Sequence, residues 1–289
     1  MSGGECENNG TGAQDGEWHR KTGVAKWRGL VRILVARNLK IRYKGSALGF
    51  FWSLLTPALT ILMYAVFAGI LKFNKGQPAY LQFLVTGIIV WNFTAGTLND
   101  SLFSIAGNAN LVKKVFFPRA ILPLSTALAN GVNFLLTVIP LLLYLAVTGT
   151  LDLDGAVWLV PAVALQFALC VGVALLVGTL NVFFRDVQHV VGVGQLAWFF
   201  LTPVFYDLGM QLGAAPIHDG LKGLVFLNPM TGILAMYRRG LMGRALVPEE
   251  WSAVVPVQWI WLSALATALV LALGVFALRR GDERFGDVL

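Results

Sequence analysis

Charge is what this sequence has least of: 13% of its 289 residues are Asp, Glu, Lys or Arg, where an ordinary soluble domain carries about a quarter. A water-facing surface of normal polarity is therefore excluded. Cysteine is nearly absent, and the two present, Cys6 in a polar tail and Cys170 in an apolar run, share neither compartment nor neighbourhood for a disulfide. The three histidines, His19, His189 and His218, fall in three separate regions, and none has a Cys or carboxylate beside it at a metal-ligand spacing. No Gly-rich loop ends in Gly-Lys-Ser or Gly-Lys-Thr, so the chain cannot hold ATP in the P-loop manner, and any ATP-driven work must come from a partner. The acids are no better organised for catalysis. Asp152 and Asp154 in "GTLDLDG" read as a turn with polar caps, and "VPEEW" places two acids where a helix begins. Ionisable residues are missing from the centres of the apolar runs, with Asp100, Arg185, Asp186 and Asp207 toward their ends. That argues against an ion-coupled carrier, which buries such groups at mid-membrane.

What the sequence has in abundance is apolar length. Hydrophobic residues make up 57%, and six runs reach the roughly 20 residues that cross a hydrocarbon core. They are about Leu48 to Leu71, Tyr80 to Ile105, Ala120 to Val147, Val157 to Phe184, Val190 to Tyr206 and Val257 to Leu278. The expected fold is an all-α integral membrane protein with six transmembrane helices. Between the fifth and sixth, residues 207–240 hold Gly and Pro breakers around "LKGLVFLNPMTGILAMY". A re-entrant helical segment is the economical reading, because irregular backbone at membrane depth must be covered by protein or water.

Orientation follows the basic residues, which accumulate on the cytoplasmic side. With the N-terminus inside, the outer face holds only Lys72, Lys75, Lys222, Arg238, Arg239 and Arg244 of the 22 Lys and Arg. Both termini are then cytoplasmic, and the net charge of +7 reflects topology and does not imply nucleic acid as a partner. Residues 1–23 are polar and Gly-rich, without the apolar core of a cleaved signal, and are expected to be a disordered tail.

Residues 24–44 lead into the first span as a basic amphipathic helix. At 3.6 residues per turn, Val24, Trp27, Leu30, Val31, Leu34, Val35 and Ile41 share one face, and Lys26, Arg28, Arg32, Arg37 and Lys40 lie opposite. Such a helix lies along the interface and anchors to anionic lipid without a specific ligand. Its end is different: "RYKGS" sets Arg42, Tyr43 and Lys44 where the chain turns into the membrane, beside small residues. With Arg37 and Lys40 on the preceding turns, these are candidate donors to a lipid phosphate head group.

Four stretches, "LKIRYKGSALGFFWSLLTP", "NANLVKKVFFPRAILPL", "LNVFFRDVQHVVGVGQLAWFFLTPVFY" and "LNPMTGILAMYRRGLMG", extend from about Arg37 to Gly243. In order and spacing they resemble the permease subunit of ABC exporters for O-antigen, capsule and teichoic-acid polymers. The resemblance implies a homodimer in the cell inner membrane, paired with two copies of a cytoplasmic ATPase that holds ATP and magnesium. It implies no cofactor and no catalytic residue on this chain, and a polymer substrate linked to a polyprenyl phosphate or diphosphate.

The resemblance also assigns roles. Within residues 108–119, the segment Asn110, Leu111, Val112, Lys113, Lys114, Val115, Phe116, Phe117, Pro118 and Arg119 matches the coupling helix that docks on the ATPase. By composition alone it reads equally as a cap on the bundle or as a helix inserted in a partner groove, with Leu111, Val115 and Phe116 filling the groove and Lys113 and Lys114 at its rim. The outer gate falls on Phe205, Tyr206, Asn228, Pro229, Met230 and Tyr237. The aromatics Trp91, Phe93, Phe103, Trp198, Phe199 and Phe200 are candidate channel lining, since sugar rings stack on aromatic planes. An ATP-independent carrier of the same lipids, an ABC permease for drugs or lipids, and a membrane enzyme acting on those lipids remain the competing classes.

Overall fold

The computed structural model describes residues 23–46, 48–71, 79–114, 117–152, 154–206, 225, 227–246, 257–282 and 284–285. The N-terminal tail through residue 22, Val115, Phe116 and residues 207–224 lie outside the described residues. Among those described there are nine α-helices and no strand. In chain order they are α1 (Gly23–Tyr43), α2 (Trp52–Leu71), α3 (Tyr80–Leu102), α4 (Ala109–Lys114), α5 (Ile121–Val147), α6 (Leu159–Phe183), α7 (Val187–Leu201), α8 (Pro229–Leu246) and α9 (Val257–Asp282).

Among the described residues, four helical segments are long and apolar enough to cross a membrane: Tyr80–Leu102, Ile121–Val147, Ala156–Phe183 and Ile260–Asp282. Two of the six expected spans are shorter. The apolar part of α2 runs Trp52–Phe67, and α7 is Val187–Leu201. At 1.5 Å per residue the 15 residues of α7 reach only about 22 Å, short of a roughly 30 Å core. The cause is local: Pro203 follows the helix, and Thr202 adopts extended backbone, ψ 130°, as a residue before proline does.

The outward faces are apolar. Trp261, Leu265, Leu269 and Phe276 of α9 are all largely exposed, at successive helical turns, as are Val190, Val193 and Phe200 of α7. A water-soluble monomer does not present such stripes; lipid or another protein surface accepts them. Inside, α3 and α6 form the centre of the bundle. Helices α6 and α9 approach closely: a Cβ on Gly172 would sit 2.8 Å from the Leu271 backbone and one on Gly274 only 2.4 Å from the Gly172 carbonyl oxygen. Small residues on facing helices permit this contact, and packing within lipid rests on such close fit.

The core divides in two. The larger cluster gathers α3, α5, α6 and α8, including Ile89, Trp91, Phe93, Phe134, Leu169, Ile233 and Leu234. The smaller joins the membrane bundle to the basic end of the chain. There Leu34 of α1 meets Val112 of α4, Phe117, Ile121, Leu175, Leu278 and Phe285, with Trp27, Leu30, Val31 and Leu111 packed against them. The apolar face expected on α1 is therefore turned to the protein along Trp27 to Leu34, whereas Ile41 is exposed. The turn expected at "GTLDLDG" is present, with the Asp154 amide donating to Asp152 Oδ1 at 2.9 Å.

Candidate functional site

α1 stops at Tyr43 and the chain reverses through Gly45, whose φ of +80° lies in the left-handed region that glycine reaches without strain. The reversal sets Arg42 against α3 and α5. Its Nη2 contacts Asp100 Oδ2 and donates to Asn130 Oδ1 at 3.1 Å. Asn130 Nδ2 donates in turn to the same Asp100 oxygen at 2.8 Å and to the Thr126 carbonyl at 3.2 Å. Asp100 occupies the last turn of α3, the end where helix carbonyls already concentrate negative potential, so a nearby guanidinium stabilises it.

From Arg42 a cavity of about 460 Å³ extends between α2, α3 and α5, lined by Ser53, Thr56, Thr60, Asn92, Asn133 and Thr137 among others. Ser53, Thr56 and Thr60 fall three and four residues apart and so share one face of α2. Asn133 and Thr137 do the same on α5. Trp52, Pro57 and Ile89 complete the wall, which is therefore mixed: hydroxyl and amide groups are set among apolar surface, and no carboxylate is among the described lining residues. Of the five residues expected at the head-group site, Arg42 alone lines it. Lys40 and Lys44 are exposed, the Arg37 guanidinium reaches Asn38 Oδ1 at 3.4 Å, and the Tyr43 side chain lies outside the described part. Asp100, Asn130 and the hydroxyl stripe were not singled out from the sequence. The available signal was polar residues recurring at helical spacing inside apolar runs.

The segment expected to couple begins as α4 and ends at Lys114, before Pro118, with Phe117 in coil. Asn110, Lys113 and Lys114 are exposed. Val112 and Phe117 are buried, and Leu111, half-buried, packs against the same cluster. Arg119 Nη1 is tied to the end of α9 by Asp282 Oδ1 at 3.1 Å and lies over the Phe285 ring at 5.3 Å.

The aromatic candidates divide. Trp91 and Phe93 are core residues of the single chain, Trp91 edge-on to Trp198 at 5.6 Å and Phe93 stacked on Phe134 at 4.9 Å. Both rings are buried in packing within the chain. Phe103 and Phe200 are exposed, while Trp198 and Phe199 pack partly on the core.

The residues expected at the outer gate build a clamp around the C-terminal end of α7. Asn228 accepts from Trp198 Nε1 at 2.8 Å and from the Met230 amide at 3.0 Å, and its Nδ2 donates to Thr202 Oγ1 at 2.8 Å. Tyr80 donates its hydroxyl to the Phe205 carbonyl at 2.8 Å, and Tyr206 to that of Leu201 at 3.3 Å. Met230 and Tyr237 are fully packed, Tyr237 against Phe134, and Pro229 is half-buried. Arg238, expected at the external surface, is 1% exposed. Its guanidinium donates to the carbonyls of Pro203 and Val204, each at 2.8 Å, and of Phe83 at 3.3 Å, and lies 3.3 Å over the Phe83 ring. The Pro203 and Val204 carbonyls belong to the irregular backbone just past α7, and an arginine from α8 satisfies them. Arg239 instead covers Trp158 at 4.8 Å.

Comparison with known proteins bears on this arrangement directly. The ABC-2 type transporter family matches residues 29–242. The chain belongs to that family. The matched region runs from α1 into α8 and so includes Arg42, Asp100, Asn130 and Arg238. The chain is 32% identical over 262 residues to the O-antigen export system permease protein RfbA of Klebsiella pneumoniae, covering 90% of this chain and 95% of that one. It is 33% identical over 216 residues to the protein of the same description from Myxococcus xanthus, covering 74% and 80%. At 21% identity over 262 residues it also resembles the polysialic acid transport protein KpsM of Escherichia coli. The resemblance read from the four motifs is thereby borne out at the level of the family.

Proposed function

We propose that this chain is the membrane subunit of an ATP-driven exporter that moves a polysaccharide, linked to a polyprenyl phosphate or diphosphate, from the cytoplasmic to the outer face of the inner membrane. The observation that carries the reading is similarity across 90% of the chain to a protein described as an O-antigen export permease. The cavity supports it. Its wall, hydroxyls and amides set among Trp52, Pro57 and Ile89, suits a sugar chain that must slide, because sugars present both hydroxyls and apolar faces and each contact given up can be replaced by the next one along. A wall of paired charges would hold the polymer in place.

Two copies of the chain, each crossing the membrane six times with both termini inside, assemble with two copies of an ATPase that binds ATP and magnesium. The short α2 and α7 then count as spans, with the bilayer thinned or the helix ends extended by flanking backbone, a modest cost per ångström. Arg42, with Lys40, Lys44, Tyr43 and Arg37 nearby, receives the lipid phosphate at the inner face. ATP binding by the partner moves the segment 108–119, and through the inner cluster that holds Val112 and Phe117 the motion reaches α1 and α9. The glycan crosses beside α2, α3 and α5 while the polyprenyl tail stays in lipid, and the region from Phe205 to Tyr237 closes the outer end.

The test is co-purification from membranes with the partner ATPase, comparing wild type with Val115→Asp, Phe116→Asp. The expected result is loss of the complex and of permease-dependent ATP hydrolysis while the variant remains folded in the membrane. Unchanged assembly and hydrolysis would refute the coupling assignment. Export that persists with the ATPase deleted would favour an ATP-independent carrier.

A further inference from the structure

We propose that Asp100 is a built-in stand-in for the substrate's phosphate: in the empty protein its carboxylate occupies Arg42, and an arriving phosphate oxyanion displaces it. The inference rests on the head-group reading of Arg42 given above and adds the group with which that phosphate must compete.

The geometry is that of a latch. Arg42 closes the last turn of α1, Asp100 the last turn of α3, and Asn130 on α5 contacts both, accepting from Arg42 at 3.1 Å and donating to Asp100 at 2.8 Å. Asn130 is buried, at 6% exposure, and its donation to the Thr126 carbonyl fixes the amide, so the two charged side chains converge on a preset support. Those charged side chains are themselves 38% and 42% exposed. An ion pair so open to water is weakly held and exchanges partners readily. Arg42 also borders the 460 Å³ cavity, so an anion entering from the cytoplasmic side meets this guanidinium at the mouth.

Carboxylate and phosphate present the same feature to a guanidinium, two oxygens spaced for its parallel N–H groups. A phosphate group offers more negative charge and more oxygens than Asp100, and it wins Arg42 without any rearrangement of Asn130. Asp100 then keeps the Asn130 amide and turns to water. The latch also keeps Arg42 from capturing anionic membrane phospholipids when no substrate is present, since a monoanionic head group gains less against a carboxylate already in place. Asp100 is thus a positioning and selectivity residue; Arg42 is the one that touches the ligand.

The experiment uses the intact permease–ATPase complex in nanodiscs of zwitterionic lipid. It measures binding of farnesyl diphosphate, with inorganic pyrophosphate and farnesol as comparison probes, to wild type and to Asp100→Asn. Removing a competitor of this exposed kind tightens farnesyl diphosphate about two- to fivefold, and the gain disappears in an Arg42→Gln background. The same tightening for pyrophosphate supports the latch and assigns the effect to the oxyanion. Tightening for farnesol overturns it, because farnesol carries no charge to displace a carboxylate. A thermal-stability cycle on Arg42→Gln and Asp100→Asn is expected to show coupling without probe and none at saturation. Coupling that survives saturation overturns displacement. Asp100→Ser serves the same comparisons if the Asn variant does not accumulate. A wild-type complex that assembles, hydrolyses ATP and binds neither charged probe removes the head-group site together with the latch. Wild-type binding that Asp100→Asn leaves unchanged or weakens removes the latch alone.

Discussion

Replacing Arg238 by methionine keeps much of the side-chain length and removes the charge and every donor. The structure fixes what is left behind: the carbonyls of Pro203 and Val204, each 2.8 Å from the guanidinium, and that of Phe83 at 3.3 Å, all in a region where Arg238 is 1% exposed. Each buried acceptor left without a donor costs about 1 to 3 kcal/mol, and loss of the contact over the Phe83 ring adds up to about 2 kcal/mol. Relief from burying a charge offsets part of this, leaving a net loss of about 3 kcal/mol. For a chain of this size that lowers the unfolding midpoint by roughly 5 to 10 °C, measured on the purified protein in nanodiscs by tryptophan fluorescence. Arg238→Lys keeps the charge as a single point and is expected to lose about half as much. Gly87 supplies an internal control, because a Cβ there would stand 2.7 Å from Arg238 Nη2 and 2.8 Å from the Val204 carbonyl oxygen. Gly87→Ala is therefore destabilising in wild type and less so beside Arg238→Met, with a coupling of at least about 0.5 kcal/mol. A methionine variant within about 0.5 kcal/mol of wild type, or a lysine variant as unstable as methionine, would refute the clamp.

Three further outcomes are expected. Gly274→Ala drives a methyl into the Gly172 carbonyl, 2.4 Å from the ideal Cβ position, and should cost about 1 to 3 kcal/mol by overpacking; an unshifted melting curve would show that α6 and α9 separate freely. Asn228→Ala removes the shared partner of Trp198, Thr202 and the Met230 amide and should lose about 2 kcal/mol, with red-shifted tryptophan emission as Trp198 is freed; emission unchanged from wild type would count against the contact. Arg42→Gln with Lys44→Gln should abolish polysaccharide export in cells while assembly with the ATPase is retained, and normal surface polymer would remove these residues from the head-group site.

The membrane class, the helical architecture, the amphipathic α1 and the family were all legible in the linear order of residues. Each depends on quantities that sequence carries directly: apolar run length, the 3.6-residue period, and motif spacing. The turn at Asp152 was legible for the same reason, since aspartate acts on its own backbone neighbours. Partners distant in sequence were not. Arg238 looked like an external cation because the orientation set by the basic residues, with the re-entrant reading of residues 207–240, put it on the outer face. Only the three-dimensional arrangement brings it to the carbonyls of the irregular backbone about 35 residues earlier, where the cost of burying its charge is met by acceptors that need a donor. Trp91 and Phe93 carry the same composition signal as exposed Phe103 and Phe200, and only packing sorts core from surface. Asp100 looked like an end-of-span acid until folding placed Arg42, 58 residues away in sequence, against it. What composition and periodicity settle is which segments leave water, because that is decided segment by segment. Which buried polar groups meet one another is decided by the crossing of helices, and no local run of residues contains that information.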